Sequence, residues 1–352
     1  MKLDAITMGV SMRAVPDLTR DVERAGFDGL WFTESGRTAY TGCAAAALTA
    51  EHLDIGTAVA LAFPRSPMVT AAVAWELADT TDGRFILGLG TQVKAHIERR
   101  YGMTFDHPGS RLRDYVLALR AIFRAFQGEA PLDFHGEYWN LNLLPPQWSP
   151  GPIAHPDVPV YIAAVRPWMA RLAGEVADGI HVHPFHSPRY LREVVLPAVR
   201  EGTDSAGRDP SAVAIVCPVM VNVGETDAQL EAARDTHRLR VAFYGSTRTY
   251  QGVFDLHGWE GTADRLHELQ RAGDLAGMSA TITDEMLEQY TVTATWDRLA
   301  DTLVDRYAGV ADRLVMYGST EGWTPGGERL ERWRGVTDAV ARANASRDAA
   351  AR

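Results

Sequence analysis

The feature that most constrains this chain is a short apolar segment followed by an amphipathic helix, a pattern that recurs along its length. The predicted strands, in order, are residues 3–8, 28–33, 53–60, 84–88, 158–163, 179–183, 213–221 and 314–317. Helical patterns lie between them, and in the clearest of these the apolar side chains from Leu112 to Phe126 share one face. Strands that alternate with helices form a parallel sheet, and eight such units predict a closed (β/α)8 TIM barrel.

The alternative architecture is an open, doubly wound sheet, which needs about six strands and a glycine-rich nucleotide fingerprint after the first strand. Here the first strand runs into residues 8–12 (MGVSM), which contain no G-x-G-x-x-G pattern. A length of 352 residues suggests two or three domains of ~150 residues. The strand count instead predicts one TIM-barrel domain over residues 1–352. We expect it to carry insertions at about 129–157, before strand 5, and at about 225–290, between strands 7 and 8.

The two insertions have different local patterns. Residues 133–139 predict a small hairpin within the first insertion. The second insertion is largely helical in pattern and rich in arginine, aspartate and aromatic residues. Its aromatic side chains, together with Phe63 and Trp148, are candidates for the roof of a pocket, although aromatic residues also serve plain packing.

Charge and cysteine content restrict the partners. The chain has 35 Lys and Arg against 45 Asp and Glu, a net charge of −10, whereas nucleic acid and anionic membranes attract clustered basic residues. The two cysteines, Cys43 and Cys217, form neither a disulfide framework nor a metal-binding spacing. Asp4 interrupts any signal-peptide core, and no apolar run approaches the ~18 residues of a membrane span. We therefore expect a cytoplasmic protein that binds a small-molecule substrate, but neither nucleic acid nor a membrane.

Candidate ligand-binding segments follow three of the predicted strands, at the end of a TIM barrel where ligands bind. The small residues of 56–60 allow a ligand to approach the backbone closely, although they equally suit a tightly packed strand. Gly90, followed by Thr91 and Gln92, offers amides and side-chain donors for an anion. Arg166 precedes a helix predicted to begin near Pro167, where free amides and a guanidinium favour phosphate or carboxylate.

Three titratable residues are catalytic candidates. Glu34 ends strand 2 and suits a general acid or base, or alternatively the orientation of a loop. His181 and His183 share one face of strand 6, which suits metal binding, proton transfer or packing. Because a barrel metal site needs further ligands, we expect no metal, with His183 as a proton donor or acceptor. His96, after strand 4, is the third candidate.

Four segments, taken together and in this order, resemble the luciferase-like monooxygenase family of flavin- and deazaflavin-dependent barrels: residues 23–31, 56–67, 82–90 and 172–179. The resemblance covers residues 1–222 and, loosely, the last strand and helix, but not the 225–290 insertion. It implies that FMN or the deazaflavin coenzyme F420 binds at the carboxyl-terminal mouth of the barrel. It also implies a non-prolyl cis peptide at Ala58–Val59 and a homodimer, since family members are often dimers.

Of the two cofactors we expect F420, with FMN as the alternative, because residues 88–91 and 163–167 look like those of the deazaflavin branch. The resemblance gives as cofactor-binding residues Ser35, Ala58, Val59, Gly90, Thr91, Gln92, Ala164, Val165, Arg166 and Pro167. Ser35 and Val93 stand where deazaflavin-dependent sugar-phosphate dehydrogenases of the family carry His and Glu, so a sugar phosphate is not expected.

The resulting prediction is an F420-dependent oxidoreductase that transfers hydride between the deazaflavin and a small organic substrate. Its candidate catalytic residues are Glu34, His183 and His96. Three alternatives remain open at this point: an FMN-dependent monooxygenase, a metal-dependent barrel hydrolase that uses His181 and His183, and a cofactor-binding protein without catalysis.

Overall fold

The computed structural model describes residues 1–320 and 327–351, and twelve strands lie within them. In chain order they are β1 (Lys2–Thr7), β2 (Gly29–Phe32), β3 (Asp54–Thr57), β4 (Ala60–Leu61), β5 (Phe85–Gly90), β6 (Phe134–His135), β7 (Asn140–Leu141), β8 (Val160–Ala164), β9 (Gly179–Val182), β10 (Ala214–Gly224), β11 (Thr291–Thr295) and β12 (Arg313–Tyr317). Eight of them pair in parallel in the order β1-β2-β3-β5-β8-β9-β10-β12. β12 pairs back onto β1, with Leu3 opposite Leu314. The predicted closed (β/α)8 barrel is thereby confirmed.

Helices cover the outside of the barrel and form most of the second insertion. In chain order they are α1 (Val15–Arg24), α2 (Ala39–Ala47), α3 (Pro67–Thr80), α4 (Lys94–Arg99), α5 (Pro108–Gln127), α6 (Pro167–Val176), α7 (Pro188–Tyr190), α8 (Leu196–Ser205), α9 (Asp227–Gly245), α10 (Gln251–Asp255), α11 (Thr262–Ala272), α12 (Leu275–Thr281), α13 (Asp284–Tyr290), α14 (Leu299–Tyr307) and α15 (Glu328–Ala351). A π-helical turn, Leu191–Val195, joins α7 to α8. Within the described residues, none of these helices has the length and apolar character needed to span a bilayer.

The helix boundaries follow from capping chemistry. At the start of α3 the Ser66 hydroxyl accepts the Val69 N–H at 3.3 Å, and Pro67 occupies the first helical position. The amphipathic helix α5 ends at Gly128, whose φ of +79° is the left-handed conformation that glycine adopts readily. These signals place α3 and α5 close to their predicted ranges.

Two parts of the barrel differ from the sequence-based prediction. Residues 53–60 do not form one strand, because β3 ends at Thr57 and β4 pairs with the distal end of β5, Ala60 opposite Leu89. The prediction also lacked β11 and α14, which follow the insertion. β11 has an alternating T-V-T-A-T sequence and pairs only with the distal half of β10, from Met220 to Gly224. It therefore adds to the wall above the barrel and leaves the count of eight barrel strands unchanged.

Both insertion segments adopt the local structure that their sequences predict. β6 and β7 form a two-stranded antiparallel hairpin that extends two residues beyond the predicted range. The chain between β10 and β11 is helical, as expected, and comprises α9 to α13.

A buried ionic cluster fills the amino-terminal end of the barrel. Arg313, at the start of β12, donates from Nε to Asp4 at 2.6 Å and from Nη1 to Asp54 at 2.6 Å. The indole N–H of Trp31 donates to the same Asp4 at 2.9 Å. Burial alone would lower the pKa of Arg313, but Asp4 and then Asp54 more than offset this effect and raise it. Because side chains fill this end, the open end of the barrel is the carboxyl-terminal one.

Candidate active site

An open cavity of about 930 Å³ lies at the carboxyl ends of the barrel strands. This volume is at the upper end of the ~300–1,000 Å³ typical of small-molecule and cofactor sites. Its wall combines the ends of β2, β3, β5, β8, β9 and β12 with two segments of the second insertion. The position agrees with the general rule that TIM barrels bind ligands at this face.

One half of the cavity has a backbone-lined ledge. The Ala58–Val59 peptide bond is cis, as the family resemblance implies, and both residues line the cavity. Gly90, at the end of β5, also lines it, and a Cβ added there would lie 2.6 Å from Cγ2 of Val59. Because Gly90 has no side chain, backbone and small side chains form the surface at this point. The ledge therefore suits close contact with a flat ring system.

Polar and cationic groups stand at the rim beside this ledge. Gln92 has a φ of +57°, and its Oε1 accepts the Val93 N–H at 2.9 Å. Lys94 lines the cavity while forming an ion pair with Glu98 at 3.0 Å. Arg166 precedes α6 and lines the cavity, and its guanidinium has no hydrogen bond or ion pair within the described part of the chain. A guanidinium without a protein partner at a cavity rim is available to an anionic ligand.

Glu34 lies in the cavity wall with both carboxylate oxygens engaged. Its Oε2 accepts the Leu61 N–H at 2.7 Å and Nη1 of Arg65 at 2.9 Å, and its Oε1 accepts Nη2 of Arg65 at 2.5 Å. Its side chain is only 5% exposed. Burial lowers the pKa of Arg65, but the hydrogen bonds and charge of Glu34 outweigh this and raise it overall. Glu34 is thus a fixed acceptor that holds the segment after Ala58.

His181, in β9, and His183, the residue that follows this strand, differ in their surroundings. His181 is 4% exposed, and neither ring nitrogen has a hydrogen-bond partner among the described residues, although its ring lines the cavity. His183 accepts the Phe185 N–H at Nδ1 over 3.1 Å, so its hydrogen resides on Nε2. Burial lowers the pKa of each ring to about 3, with smaller contributions from Arg313 at His181 and from His186 at His183. Both imidazoles are therefore neutral near pH 7.

Within the described residues, the side chains around these histidines do not form a set of metal ligands. In residues 1–320 and 327–351, no group of three or more His, Cys, Asp or Glu side chains is placed to hold a metal ion. The arrangement therefore does not favour the metal-dependent hydrolase alternative.

Three tyrosines, here named the tyrosine wall, complete the cavity beside His183: Tyr244, Tyr250 and Tyr317. Tyr244 lies near the end of α9, and Tyr250 lies in the 3-10 turn that follows it. Their rings are each 4.8 Å from the His183 ring. The hydroxyl of Tyr244 lies 2.6 Å from that of Tyr317, the last residue of β12. The second insertion thus closes over the barrel mouth through aromatic contacts and one hydroxyl pair.

Most of the predicted site residues lie around this cavity, although their assigned roles remain predictions. The lining residues among them are Glu34, Ala58, Val59, Gly90, Thr91, Gln92, Ala164, Val165, Arg166 and His183.

Other predicted residues do not line the cavity. Ser35 uses its carbonyl to accept Nη2 of Arg100 at 2.6 Å, Pro167 begins α6, and His96 is exposed on α4. Of the two aromatic roof candidates outside the insertion, Phe63 is fully buried elsewhere and Trp148 is 74% exposed. The aromatic lining comes instead from Tyr244 and Tyr250 of the insertion together with Phe105, Trp168 and Tyr317.

Sequence reasoning missed Lys94 and the individual residues of the tyrosine wall. The aromatic content of residues 225–290 was the available signal for Tyr244 and Tyr250. Which face of α9 packs over the barrel depends on tertiary contacts that hydropathy does not report. Tyr317 ends the last strand, so its position at the barrel mouth was itself a usable signal.

Comparison with known proteins gives one family and several full-length relatives. The family model described as luciferase-like monooxygenase matches residues 3–313. Protein Rv1360 of Mycobacterium tuberculosis is 42% identical over 315 residues, 90% of this chain and 92% of the relative. A 5,10-methylenetetrahydromethanopterin reductase of Archaeoglobus fulgidus is 29% identical, covering 80% and 82% of the two chains. A putative coenzyme F420-dependent oxidoreductase of M. tuberculosis, Rv3520c, is 27% identical, covering 87% and 91%.

Solved structures share the fold. The coenzyme F420-dependent tetrahydromethanopterin reductase from Methanopyrus kandleri superimposes with a TM-score of 0.76 at 18% identity, over 97% of this chain and 99% of that one. The oxygenating constituent of 3,6-diketocamphane monooxygenase from Pseudomonas putida, solved with FMN, gives 0.63 at 15% identity over 97% and 99%. At these identities the likeness concerns the fold alone.

Proposed function

Because this chain belongs to the luciferase-like monooxygenase family, we propose that it is an oxidoreductase that binds coenzyme F420 in the barrel-mouth cavity. It transfers hydride between the deazaflavin and a small organic substrate. When bound, the cofactor supplies the hydride chemistry, and the chain supplies binding, orientation and exclusion of water.

The residues present fit such a cofactor. The ledge of Ala58, Val59 and Gly90 offers a surface without bulky side chains for a flat ring system. Below the cavity, His181 has two ring nitrogens without a protein partner, and a buried polar group of this kind is costly unless something satisfies it. A ligand carrying both donors and acceptors on a planar frame meets these requirements.

Arg166 is the observation that carries the choice of F420. It is a cation without a hydrogen-bonding partner among the described residues, and Lys94 lines the same cavity. F420 bears a phosphodiester followed by carboxylates, so it presents more negative charge outside its ring system than FMN does. The name of the relative Rv3520c, a putative coenzyme F420-dependent oxidoreductase, supports the same choice.

The geometry also suggests how the two main proton-transfer candidates divide their roles. Glu34 has no free oxygen, since Arg65 and the Leu61 N–H occupy both. We therefore assign Glu34 to positioning the wall after Ala58. His183 keeps an Nε2–H toward the substrate half of the cavity and serves as a neutral hydrogen-bond donor.

Titration of the purified protein with F420 and with FMN tests the proposal. We expect F420 to bind at least tenfold more tightly, measured by fluorescence or calorimetry at constant ionic strength. Arg166→Gln should weaken F420 binding and flatten its salt dependence, because one charge contact is lost. Arg171→Gln is the matched control, since Arg171 lies on α6, the helix that Arg166 precedes, but pairs with Glu201. Tight FMN binding without affinity for F420 would overturn the proposal.

A further inference from the structure

The hydroxyl pair of the tyrosine wall has one hydrogen to spare. Tyr244 and Tyr317 place their hydroxyl oxygens 2.6 Å apart, and either can be the donor. Two hydroxyls carry two hydrogens, whereas the bond between them uses one. Burial raises the pKa of Tyr244, with further contributions from Tyr317, so the Tyr244 hydroxyl stays protonated near neutral pH. One O–H is therefore available to a ligand in the cavity that both residues line.

Two further donors stand beside this pair. His183 carries its hydrogen on Nε2, because Nδ1 accepts the Phe185 N–H, and Nε2 has no partner among the described residues. The ring of Tyr250 lies 4.8 Å from that of His183, and its hydroxyl is likewise without a partner in the described part of the chain. This half of the cavity thus holds several hydrogen-bond donors that are not satisfied by protein acceptors.

None of these donors carries a charge. Arg240 has its guanidinium carbon 5.2 Å from the centre of the Tyr317 ring and donates toward His237 at 3.3 Å. Arg240 is not among the cavity-lining residues. A charged carboxylate loses much hydration on burial and needs a cation in return, whereas a carbonyl oxygen needs only neutral donors. Pro218 and Val315 add apolar surface to the lining, and Thr249 adds a neutral hydroxyl.

We propose that Tyr244, Tyr317 and His183 form a subsite for the carbonyl oxygen of an uncharged substrate whose body is aromatic or conjugated. The rings of Tyr250 and His183 contact the flat body, and the hydroxyl pair with Nε2–H of His183 holds the oxygen. This inference rests on the proposed function, in which the ledge half of the cavity holds the hydride carrier. In the direction of reduction the carbonyl carbon gains the hydride, the electron pair of the C=O π bond passes to the oxygen, and one of these donors supplies the proton that completes the alcohol and is reprotonated from water. The donors bind the oxygen more strongly as its negative charge develops.

Three probes of matched shape test the subsite by binding alone. Acetophenone has the carbonyl, ethylbenzene lacks it, and benzoate replaces it with a charged carboxylate. Ligand-observed NMR titrations use the full chain, with and without saturating F420. We expect acetophenone to bind about five- to tenfold more tightly than ethylbenzene, as one or two neutral hydrogen bonds provide. With F420 bound, so that its anionic part engages Arg166, benzoate should bind no better than ethylbenzene. The proposal is overturned if the unaltered protein binds acetophenone and ethylbenzene equally. It is also overturned if that protein, with F420 bound, prefers benzoate.

Variants then identify the donors. The double variant Tyr244→Phe with Tyr317→Phe removes both hydroxyls, because either single variant would still leave one O–H, and it should reduce the acetophenone preference about two- to tenfold while leaving ethylbenzene binding unchanged. Tyr290→Phe is the control for a structural effect, because its buried hydroxyl donates to the Val253 carbonyl at 3.1 Å away from the subsite. It should lower the unfolding temperature without changing the preference. Preference retained in the double variant overturns the assignment.

The same samples separate the two proposals. F420 affinity of the unaltered protein tests the proposed function, and probe discrimination without F420 tests the subsite. If F420 fails to bind while acetophenone is still preferred, the subsite stands and the cofactor assignment falls. If F420 binds and the three probes bind alike, the subsite falls alone.

Discussion

Replacing Glu34 by Gln tests whether this carboxylate acts in positioning or in proton transfer. The substitution keeps the shape but removes the charge that faces Arg65, with which Glu34 makes contacts of 2.9 and 2.5 Å. Removal of one partner from a fully buried ion pair costs ~3–5 kcal/mol. Arg65 is 21% exposed and also donates to the Leu61 carbonyl, so water and this acceptor recover part of the loss. We therefore expect the free energy of unfolding to fall by ~2–3 kcal/mol.

The assay is urea unfolding of four proteins: the unaltered chain, Glu34→Gln, Arg65→Met and the double variant. Because each single variant leaves one buried polar partner behind, the double variant should be more stable than the sum of the two losses predicts. A coupling of ~2 kcal/mol is the expected size. F420 affinity, measured on the same proteins, should follow stability, because Glu34 holds the Leu61 N–H next to the ledge.

Two results would refute this reasoning. An unchanged urea midpoint for Glu34→Gln would mean that the ion pair contributes nothing to the fold. Alternatively, the double variant could regain stability and F420 affinity but remain as inactive as Glu34→Gln. Glu34 would then be a proton-transfer residue, and the positioning role would be wrong.

Three further predictions concern buried groups of the barrel. Burial lowers the pKa of His181 to about 3 and of His186 to about 4, below an ordinary value of ~6.5, so the unfolded chain binds more protons below pH 6.5. The free energy of unfolding should therefore be steady above pH ~6.5. As the pH drops toward 5, it should fall by ~1.4 kcal/mol per pH unit for each of these histidines. Urea midpoints that rise on acidification would contradict this prediction. Gly90→Val should weaken F420 binding more than tenfold and also lower the free energy of unfolding, because even its Cβ would lie 2.6 Å from Cγ2 of Val59 and the side chain would displace the ledge. An F420 affinity equal to that of the unaltered protein, measured by calorimetry, would count against the ledge. Arg313→Met should lower the free energy of unfolding by ~3–5 kcal/mol, since it leaves buried carboxylates without their cation; circular dichroism on heating measures this loss.

The barrel was predictable because its signal is repeated and local. Each strand and the apolar face of its helix occupy contiguous residues, as in α5, so hydropathy alone reports them. The break between Thr57 and Ala60 was not visible in the hydropathy of 53–60, since apolar residues continue through it. β11 was missed because an alternating five-residue segment next to a helical insertion carries little periodic signal.

Local sequence signals also located some residues of the candidate site and not others. Residues at strand ends, such as Gly90 and His183, could be placed at the cavity once the barrel was assumed. Ser35 lies in the loop after β2, and His96 lies on the short helix α4. In such segments, an error of one residue in the alignment turns the predicted side chain away from the barrel mouth. Tyr244 depends on how α9 packs on the barrel, which is a non-local property of the folded chain.

The pairing of β1 with β12 has a consequence for synthesis on the ribosome. Arg313 and Asp4, which meet in the buried ionic cluster, are 309 positions apart in the chain. Until β12 has left the exit tunnel, the nascent polypeptide has two unsatisfied strand edges, on β1 and on β10. Such edges invite pairing with neighbouring nascent chains on a polysome. Expression at a lower temperature or with additional chaperone should therefore raise the yield of soluble protein, whereas truncation before residue 313 should abolish it.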